Sequence, residues 1–312
     1  MFKTKKQSIY GFNIQKLKKM QTMAVVLLVV LLVSVPILFI SKFQNKIGNE
    51  KKILIRHWEE NDFEQVYEIS KNALAGKPMD YFLLTVNGFS AYQLGISQIN
   101  TINTLFYIDE SIKSLRKALL LKESNDDGRV FYVLGKAYSY KGDEYADMAI
   151  KYLETALYLS YNADDIYEYL GLVYAAIGDY QSSVQAFTQA LASSEKITEA
   201  LLLSIARSYI ALEENDIAKA YLFRCIEISM DTKSTINARF LLAEVFKKIA
   251  DYEAAENQYF SILNETGENA EVHYQLGELY NHQGDTTKAR SEWRLAYRID
   301  PAHVKARIRL NI

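Results

Sequence analysis

Residues 164–197 read DDIYEYLGLVYAAIGDYQSSVQAFTQALASSEKI, and residues 270–303 read AEVHYQLGELYNHQGDTTKARSEWRLAYRIDPAH. Both segments are 34 residues long and place a Leu-Gly pair, a Tyr and a Gly-Asp pair at the same positions. Apolar residues recur at helical spacing on both sides of the Gly-Asp pair, which predicts two amphipathic helices. A Gly followed by Asp is typical of a helix end and the N-cap of the next helix. Each segment is therefore predicted to be a helix–turn–helix unit.

Two glycines lie where a helix would normally avoid them. Gly171 and Gly277 fall in the middle of the first predicted helix, where Gly costs roughly 1 kcal/mol relative to Ala. We expect the missing side chain to let the paired helix approach closely, with Ala289 as the small residue on the second helix. A bulky side chain at Gly171 should then cost roughly 2 kcal/mol or more through overpacking. Pro301 is expected to close its repeat.

Looser copies of this pattern extend over most of the chain, and Gly88 and Gly135 are the equivalent glycines of two of them. The predicted repeats are 47–80, 81–125, 128–163, 164–197, 199–232, 236–269 and 270–303, followed by a capping helix at 304–312. The first copy is degenerate. An insertion at residues 96–107 (ISQINTINTLFY) either extends a helix towards a binding face or is a tolerated loop.

The pattern resembles the tetratricopeptide repeat. The resemblance implies an all-α, right-handed solenoid of about seven helix–turn–helix repeats. It also implies that the first helices line a concave groove and that the protein works by binding other proteins or peptide segments. Such a stack buries its apolar faces only between neighbouring repeats.

Projecting this register onto the groove gives a set of candidate partner-binding residues that is aromatic and weakly basic. The candidates are Phe82, Phe89, Tyr92, Arg129, Tyr132, Lys136, Tyr140 and Arg207. Rigid aromatic side chains are common in binding surfaces, but aromatics at these positions also serve as packing between repeats. Some relatives hold a chaperone's terminal carboxylate with a set of Lys, Asn and Arg residues. Here the asparagines are missing and Lys136 and Arg207 are isolated, which argues against that role.

Residues 23–40 (MAVVLLVVLLVSVPILFI) carry no charge. As a helix they would span roughly 27 Å, close to the hydrocarbon thickness of a bilayer. A cleaved signal peptide is the alternative, but the apolar stretch is long and no small-x-small site follows it. We therefore expect a transmembrane helix at 23–40, between a basic cytoplasmic tail at 1–22 and a linker at 41–46.

The charges flanking this stretch predict its orientation. Residues 1–22 contain six lysines and no acidic residue, whereas the lysines on the other side are diluted by Glu50 and Glu59. By the positive-inside rule the N-terminus is cytoplasmic and the repeats lie outside the cytoplasm. In a bacterium this is a single-pass inner-membrane protein with a periplasmic repeat domain.

Several function classes find no support in the sequence. The net charge of -2 gives no basis for binding nucleic acid. The single cysteine, Cys225, is expected to be a packed thiol, and the four histidines form no metal-ligand motif. We find no nucleotide-binding loop and no nucleophile elbow. The chain is therefore expected to be no enzyme and to use neither a cofactor, a metal nor a small-molecule substrate.

The leading hypothesis is a membrane-anchored scaffold for the assembly or stability of a bacterial envelope complex. A collar of a periplasmic flagellar motor is one such machine, by analogy alone. The main alternative is a periplasmic chaperone or quality-control accessory at the protein-export channel. A regulatory subunit of a membrane enzyme is a third hypothesis.

Overall fold

The computed structural model describes residues 50–121, 126–193 and 196–312. Within these ranges the regular elements are helices, and no strand occurs. The chain divides into two compact units, one ending at Pro78 and the other beginning at Met79. The predicted tail at 1–22, the predicted transmembrane helix at 23–40 and the linker at 41–46 lie outside the described residues. Among the helices that are described, none combines the length and the apolar character that crossing a membrane requires.

The described part of the first unit contains two helices. Helix α1 covers residues 50–59 and α2 covers Phe63–Gly76. Asp62 is the N-cap of α2, where its carboxylate accepts a hydrogen bond from the Gln65 amide at 3.3 Å. The ammonium of Lys77 lies 3.3 Å from the carboxylate of Glu50, so an ion pair joins the two ends of this helical hairpin.

The second unit is a stack of helix pairs. The first helices of the pairs are α3 (Tyr81–Ser97), α5 (Gly128–Ser139), α7 (Ile166–Ala176), α9 (Glu199–Ala211), α11 (Thr232–Lys248) and α13 (Ala270–His282). The second helices are α4 (Thr101–Ala118), α6 (Ala146–Tyr158), α8 (Tyr180–Ser193), α10 (Asn215–Ile228), α12 (Tyr252–Thr266) and α14 (Thr286–Ile299). Each first helix packs against the second helix that follows it. A short helix, α15 (Val304–Leu310), packs on α14 at the position predicted for the capping helix.

The mid-helix glycines lie where the two helices of a pair come together. A Cβ atom placed on Gly171 would lie 2.5 Å from Cδ1 of Phe187, and one on Gly277 would lie 2.4 Å from Cδ1 of Trp293. The same holds for Gly88 against Leu115 and for Gly135 against Leu153. The close approach expected from the sequence is therefore present. The space at Gly277 is filled by the ring of Trp293, while Ala289 contributes its backbone carbonyl oxygen, 3.0 Å from that Cβ position.

The turns within the pairs follow the predicted Gly-Asp chemistry. Gly284 has φ +83°, a left-handed conformation that glycine adopts without strain. Asp285 then caps α14, accepting a hydrogen bond from the Lys288 amide at 3.0 Å. Pro301 follows directly after the end of α14 and its C-cap residue, Asp300. The capping predictions made from this repeat are confirmed.

The insertion at residues 96–107 is mostly helical. It contains the last two residues of α3 and the first two turns of α4, separated by a short link in which Asn100 caps α4. Ile99, Ile102 and Phe106 are exposed on this tip. The insertion therefore lengthens a helical hairpin instead of forming a free loop.

The first helices lie on the inner side of the stack. Along the second unit, α3 contacts α5, α5 contacts α7, α7 contacts α9 and α9 contacts α11. No second helix makes a comparable contact with the next second helix among the residues that the structure describes. First helices that approach one another more closely than second helices place the first-helix face on the inside of the curve. This inner face is the groove in which a partner-binding site would be expected.

Candidate functional site in the groove

The side chain of Lys136 lies at the centre of the groove between α3, α5 and α7. Lys136 belongs to α5 and is only 9% exposed. Its ammonium donates hydrogen bonds to Oδ2 of Asp165 at 2.7 Å and to the hydroxyl oxygen of Tyr132 at 2.9 Å. The Tyr132 hydroxyl in turn donates to Oδ1 of Asp165 at 2.5 Å. The buried charge is therefore paired and hydrogen-bonded, as a lysine at this depth requires.

Three tyrosine rings surround the same ammonium. The distance from Nζ of Lys136 to the ring centroid is 4.4 Å for Tyr169, 4.9 Å for Tyr132 and 5.6 Å for Tyr92. A cation within about 6 Å of a ring centroid is attracted by the ring quadrupole. The rings come from α3, α5 and α7, so this one side chain joins three consecutive first helices. We call Tyr92, Tyr132, Lys136, Asp165 and Tyr169 the Lys136 cluster.

The tyrosines of the cluster are held in their neutral form. Burial raises the pKa of Tyr92, and the neighbouring Tyr169 raises it further. Burial likewise raises the pKa of Tyr132, followed by its hydrogen bond to Asp165. The hydroxyls therefore act as hydrogen-bond donors and acceptors at neutral pH and are poorly suited to act as bases.

A pocket of about 460 Å³ lies beside the cluster on the inner face. We call it the groove pocket. Its lining includes Tyr140, Asp143, Asp165, Glu168, Tyr169 and Leu172. Tyr140 is 40% exposed and Leu172 is 43% exposed, so a ring and an aliphatic side chain face solvent there. The pocket is large enough for one ligand side chain and is open to an approaching peptide.

Glu168 has no charged partner in this pocket. No hydrogen bond or ion pair is made by its carboxylate among the described residues. Burial raises the pKa of Glu168, the nearby Asp165 raises it further, and Lys136 acts in the opposite direction. A half-buried carboxylate that is destabilised in this way gains from the arrival of a cation.

The structure brings together half of the residues predicted from the sequence. Tyr92, Tyr132, Lys136 and Tyr140 lie in the Lys136 cluster or the groove pocket. Tyr92 is only 3% exposed and packs edge-on against Tyr140 with ring centroids 6.2 Å apart. A partner would therefore meet Tyr140 before it could reach Tyr92.

The other predicted residues lie outside this cluster. Phe82 and Phe89 are half-buried on α3, and Phe89 packs against the core. The guanidinium of Arg129 pairs with Asp127, its Nε lying 2.8 Å from Oδ1. Arg207 is exposed on α9 and makes no ion pair within the described part of the chain. Partner binding by any of these residues stays a prediction.

Two residues of the Lys136 cluster, Asp165 and Tyr169, were not among the predicted groove residues. A residue directly before a helix, such as Asp165, is usually a cap residue. It does occupy the N-cap position of α7, but its side chain makes no capping hydrogen bond and turns to Lys136 instead. Asp165, Tyr169 and Leu172 follow one another at spacings of four and three residues, which places them on one face of a helix. That spacing is the feature of the sequence that could have identified these three residues as neighbours.

Comparisons with known proteins agree with this architecture. Residues 132–196 and 238–304 match the family model described as tetratricopeptide repeat. These two segments resemble tetratricopeptide repeats. A comparison with curated protein sequences finds no significant match.

Solved structures resemble the chain at low sequence identity. The C-terminal part of a tetratricopeptide-repeat protein from Cytophaga hutchinsonii superposes with a TM-score of 0.60 at 15% identity, covering 82% of this chain and 97% of that one. A tetratricopeptide-repeat protein from Parabacteroides merdae gives a TM-score of 0.52 at 16% identity, with coverages of 83% and 95%. The protein pilF of Pseudomonas aeruginosa gives 0.50 at 16% identity, with coverages of 72% and 96%. These likenesses establish an all-helical, tetratricopeptide-repeat-like solenoid. Such a fold is consistent with a scaffold for protein–protein interaction.

Proposed function

We propose that this chain is a membrane-anchored scaffold that holds a segment of a partner protein in its groove and catalyses no reaction. The observation that carries the proposal is the Lys136 cluster. It ties α3, α5 and α7 into one rigid inner surface, and beside it the groove pocket remains open. A surface that is already ordered binds without a large entropic cost of rearrangement.

The chemistry of the groove favours binding over catalysis. The buried ammonium of Lys136 is hydrogen-bonded to Asp165 and Tyr132. The raised pKa values of Tyr92 and Tyr132 keep these two tyrosines neutral. Among the described residues no group of three His, Cys, Asp or Glu side chains is placed to hold a metal ion. Tyr140 and Leu172 instead present partly exposed apolar surface, against which a peptide side chain can pack.

The proposed location follows from the apolar stretch at residues 23–40 and the six lysines that precede it. This arrangement supports an N-terminus in the cytoplasm and a repeat domain on the other side of an inner membrane. A solenoid fixed there would hold components of an envelope complex together. A chaperone accessory at the export channel has the same layout and differs in its clients, which would be many and weakly bound.

Site-specific photocrosslinking in cells tests the binding surface. Leu172 on α7 and Phe260 on α12 are each 43% exposed, the first on the inner face and the second on a second helix. We expect a photoreactive residue at position 172 of the full-length chain to give discrete adducts, and the same residue at position 260 to give none. A small, stoichiometric set of envelope proteins at position 172 supports the scaffold. A broad set of exported proteins instead indicates the chaperone, and equal labelling at both positions contradicts a groove site.

A further inference from the structure

The groove pocket is acidic. Three carboxylates line it, those of Asp143, Asp165 and Glu168. The ammonium of Lys136 lies beside the pocket and is bonded to Asp165. Two of the three carboxylates are therefore left without a lysine or arginine partner among the described residues. A ligand that enters the pocket meets a net negative charge at close range.

The aromatic walls of the pocket suit the same charge. Tyr169 lines the pocket and already holds the Lys136 ammonium 4.4 Å from its ring centroid. Tyr140 supplies a second ring that is partly open to solvent. Carboxylates combined with aromatic faces are the features that bind ammonium and guanidinium groups.

A buried tyrosine lies beneath these rings. Tyr92 is 3% exposed, and its hydroxyl interacts with that of Tyr169. The electrostatic neighbours of this hydroxyl include Tyr140 and Tyr169, the two rings of the pocket. Because Tyr92 is buried, a ligand in the groove pocket meets Tyr140 and Tyr169 instead.

We propose that the groove pocket takes the cationic side chain of a lysine or arginine in the partner segment. Glu168 is the residue that pairs with the incoming charge, while Tyr140 and Tyr169 flank its aliphatic stem. The volume of about 460 Å³ accommodates one such side chain. This inference rests on the proposed function, because it assumes that the partner segment lies in the groove.

Binding of immobilised peptides by the full-length chain in detergent micelles tests the assignment. The probes are nonapeptides with a blocked N-terminus, randomised flanks and a fixed central residue: lysine, arginine, acetyl-lysine, leucine or glutamate. A further set has a central leucine and a free N-terminus. The protein variants are Glu168→Gln and, as a charge-matched control, Glu227→Gln, since Glu227 is exposed on α10 away from the groove.

We expect the unsubstituted chain to retain the lysine and arginine sets at least fivefold more than the other sets. Glu168→Gln should abolish this preference, and Glu227→Gln should keep it. Equal retention of all sets would overturn the cationic pocket while leaving groove binding intact. A preference that survives Glu168→Gln, or one for the free N-terminus alone, would also overturn the assignment. Retention of no set above bare support, together with no adducts at position 172, would overturn the proposed function as well.

Discussion

The ammonium of Lys136 on α5 lies 2.7 Å from the carboxylate of Asp165 at the start of α7. The Lys136 side chain is 11% exposed and that of Asp165 is 38% exposed, so the pair bridges two repeats at the edge of solvent. Removing only one partner of such a pair destabilises the fold, because the remaining charge loses its partner while it is still partly desolvated.

Lys136→Met should therefore destabilise the solenoid. We expect a loss of about 2 kcal/mol, below the roughly 3–5 kcal/mol of a fully buried pair, since water can reach Asp165. Urea denaturation followed by circular dichroism measures the change. The control is Lys248→Met, because Lys248 is exposed on α11 and makes no ion pair among the described residues.

A double-mutant cycle separates the pair from the packing of the lysine stem. Lys136→Met combined with Asp165→Asn should cost less than the sum of the single changes, with a coupling of about 1 kcal/mol or more. Additive effects would show that the ammonium and the carboxylate stabilise the groove independently.

Gly171→Ala should destabilise the middle of the stack although alanine is the better helix former. The added Cβ would lie 2.5 Å from Cδ1 of Phe187, a side chain with no exposed surface. Phe187 must shift, and overpacking of this kind costs about 2 kcal/mol, more than the roughly 1 kcal/mol gained in helix propensity.

The matched control is Gly76→Ala at the end of α2, where a new Cβ would meet no atom within 4 Å. Urea midpoints of both variants give the comparison. If Gly171→Ala unfolded at the same urea concentration as Gly76→Ala, the close contact with Phe187 would not affect the free energy of unfolding.

The helix pairs could be predicted because their signals are local. Leu-Gly pairs, Gly-Asp turns and apolar spacing each act within one repeat, so the sequence around Gly277 and Asp285 was sufficient. The ring that fills the space at Gly277 was harder to foresee. Which side chain of the second helix lies against a glycine depends on the rotation of that helix, and the structure places Trp293 there.

The site was only partly predictable because it joins different repeats. Lys136 and Tyr132 were predicted from their position on α5, but Asp165 lies at the start of α7 and was not among the predicted groove residues. N-cap residues usually bond to the backbone. Asp165 instead binds Lys136 because α5 and α7 approach closely enough, a long-range relationship that periodicity within one helix does not contain.

Glu168→Gln should stabilise the folded chain at neutral pH. Burial and Asp165 raise the pKa of Glu168 above its unfolded value, so the fold favours the protonated carboxyl. The resulting cost is absent below the unfolded pKa and develops as the pH rises through the folded pKa. Gln cannot ionise, so the variant avoids this cost.

Urea midpoints measured from pH 4 to pH 8 test whether Glu168→Gln stabilises the folded chain at neutral pH. The advantage of Glu168→Gln over the unsubstituted chain should be present at pH 7 and vanish towards the acid end, while Glu227→Gln should show no such trend. A variant that is less stable at pH 7 would mean that Glu168 has a cationic partner in the folded chain.

The proposed orientation can be read from thiol labelling, because the single native cysteine is poorly reactive. Cys225 has no exposed surface, and burial, followed by Glu199, raises the pKa of its thiol. The thiolate is the reactive form, so labelling of the unsubstituted chain should be slow.

Gln181→Cys places an exposed thiol at the start of α8. In cells with a permeabilised outer membrane, a membrane-impermeant maleimide should label Gln181→Cys and should label Ser8→Cys only after lysis. The reverse pattern would place the repeats in the cytoplasm and contradict an envelope scaffold.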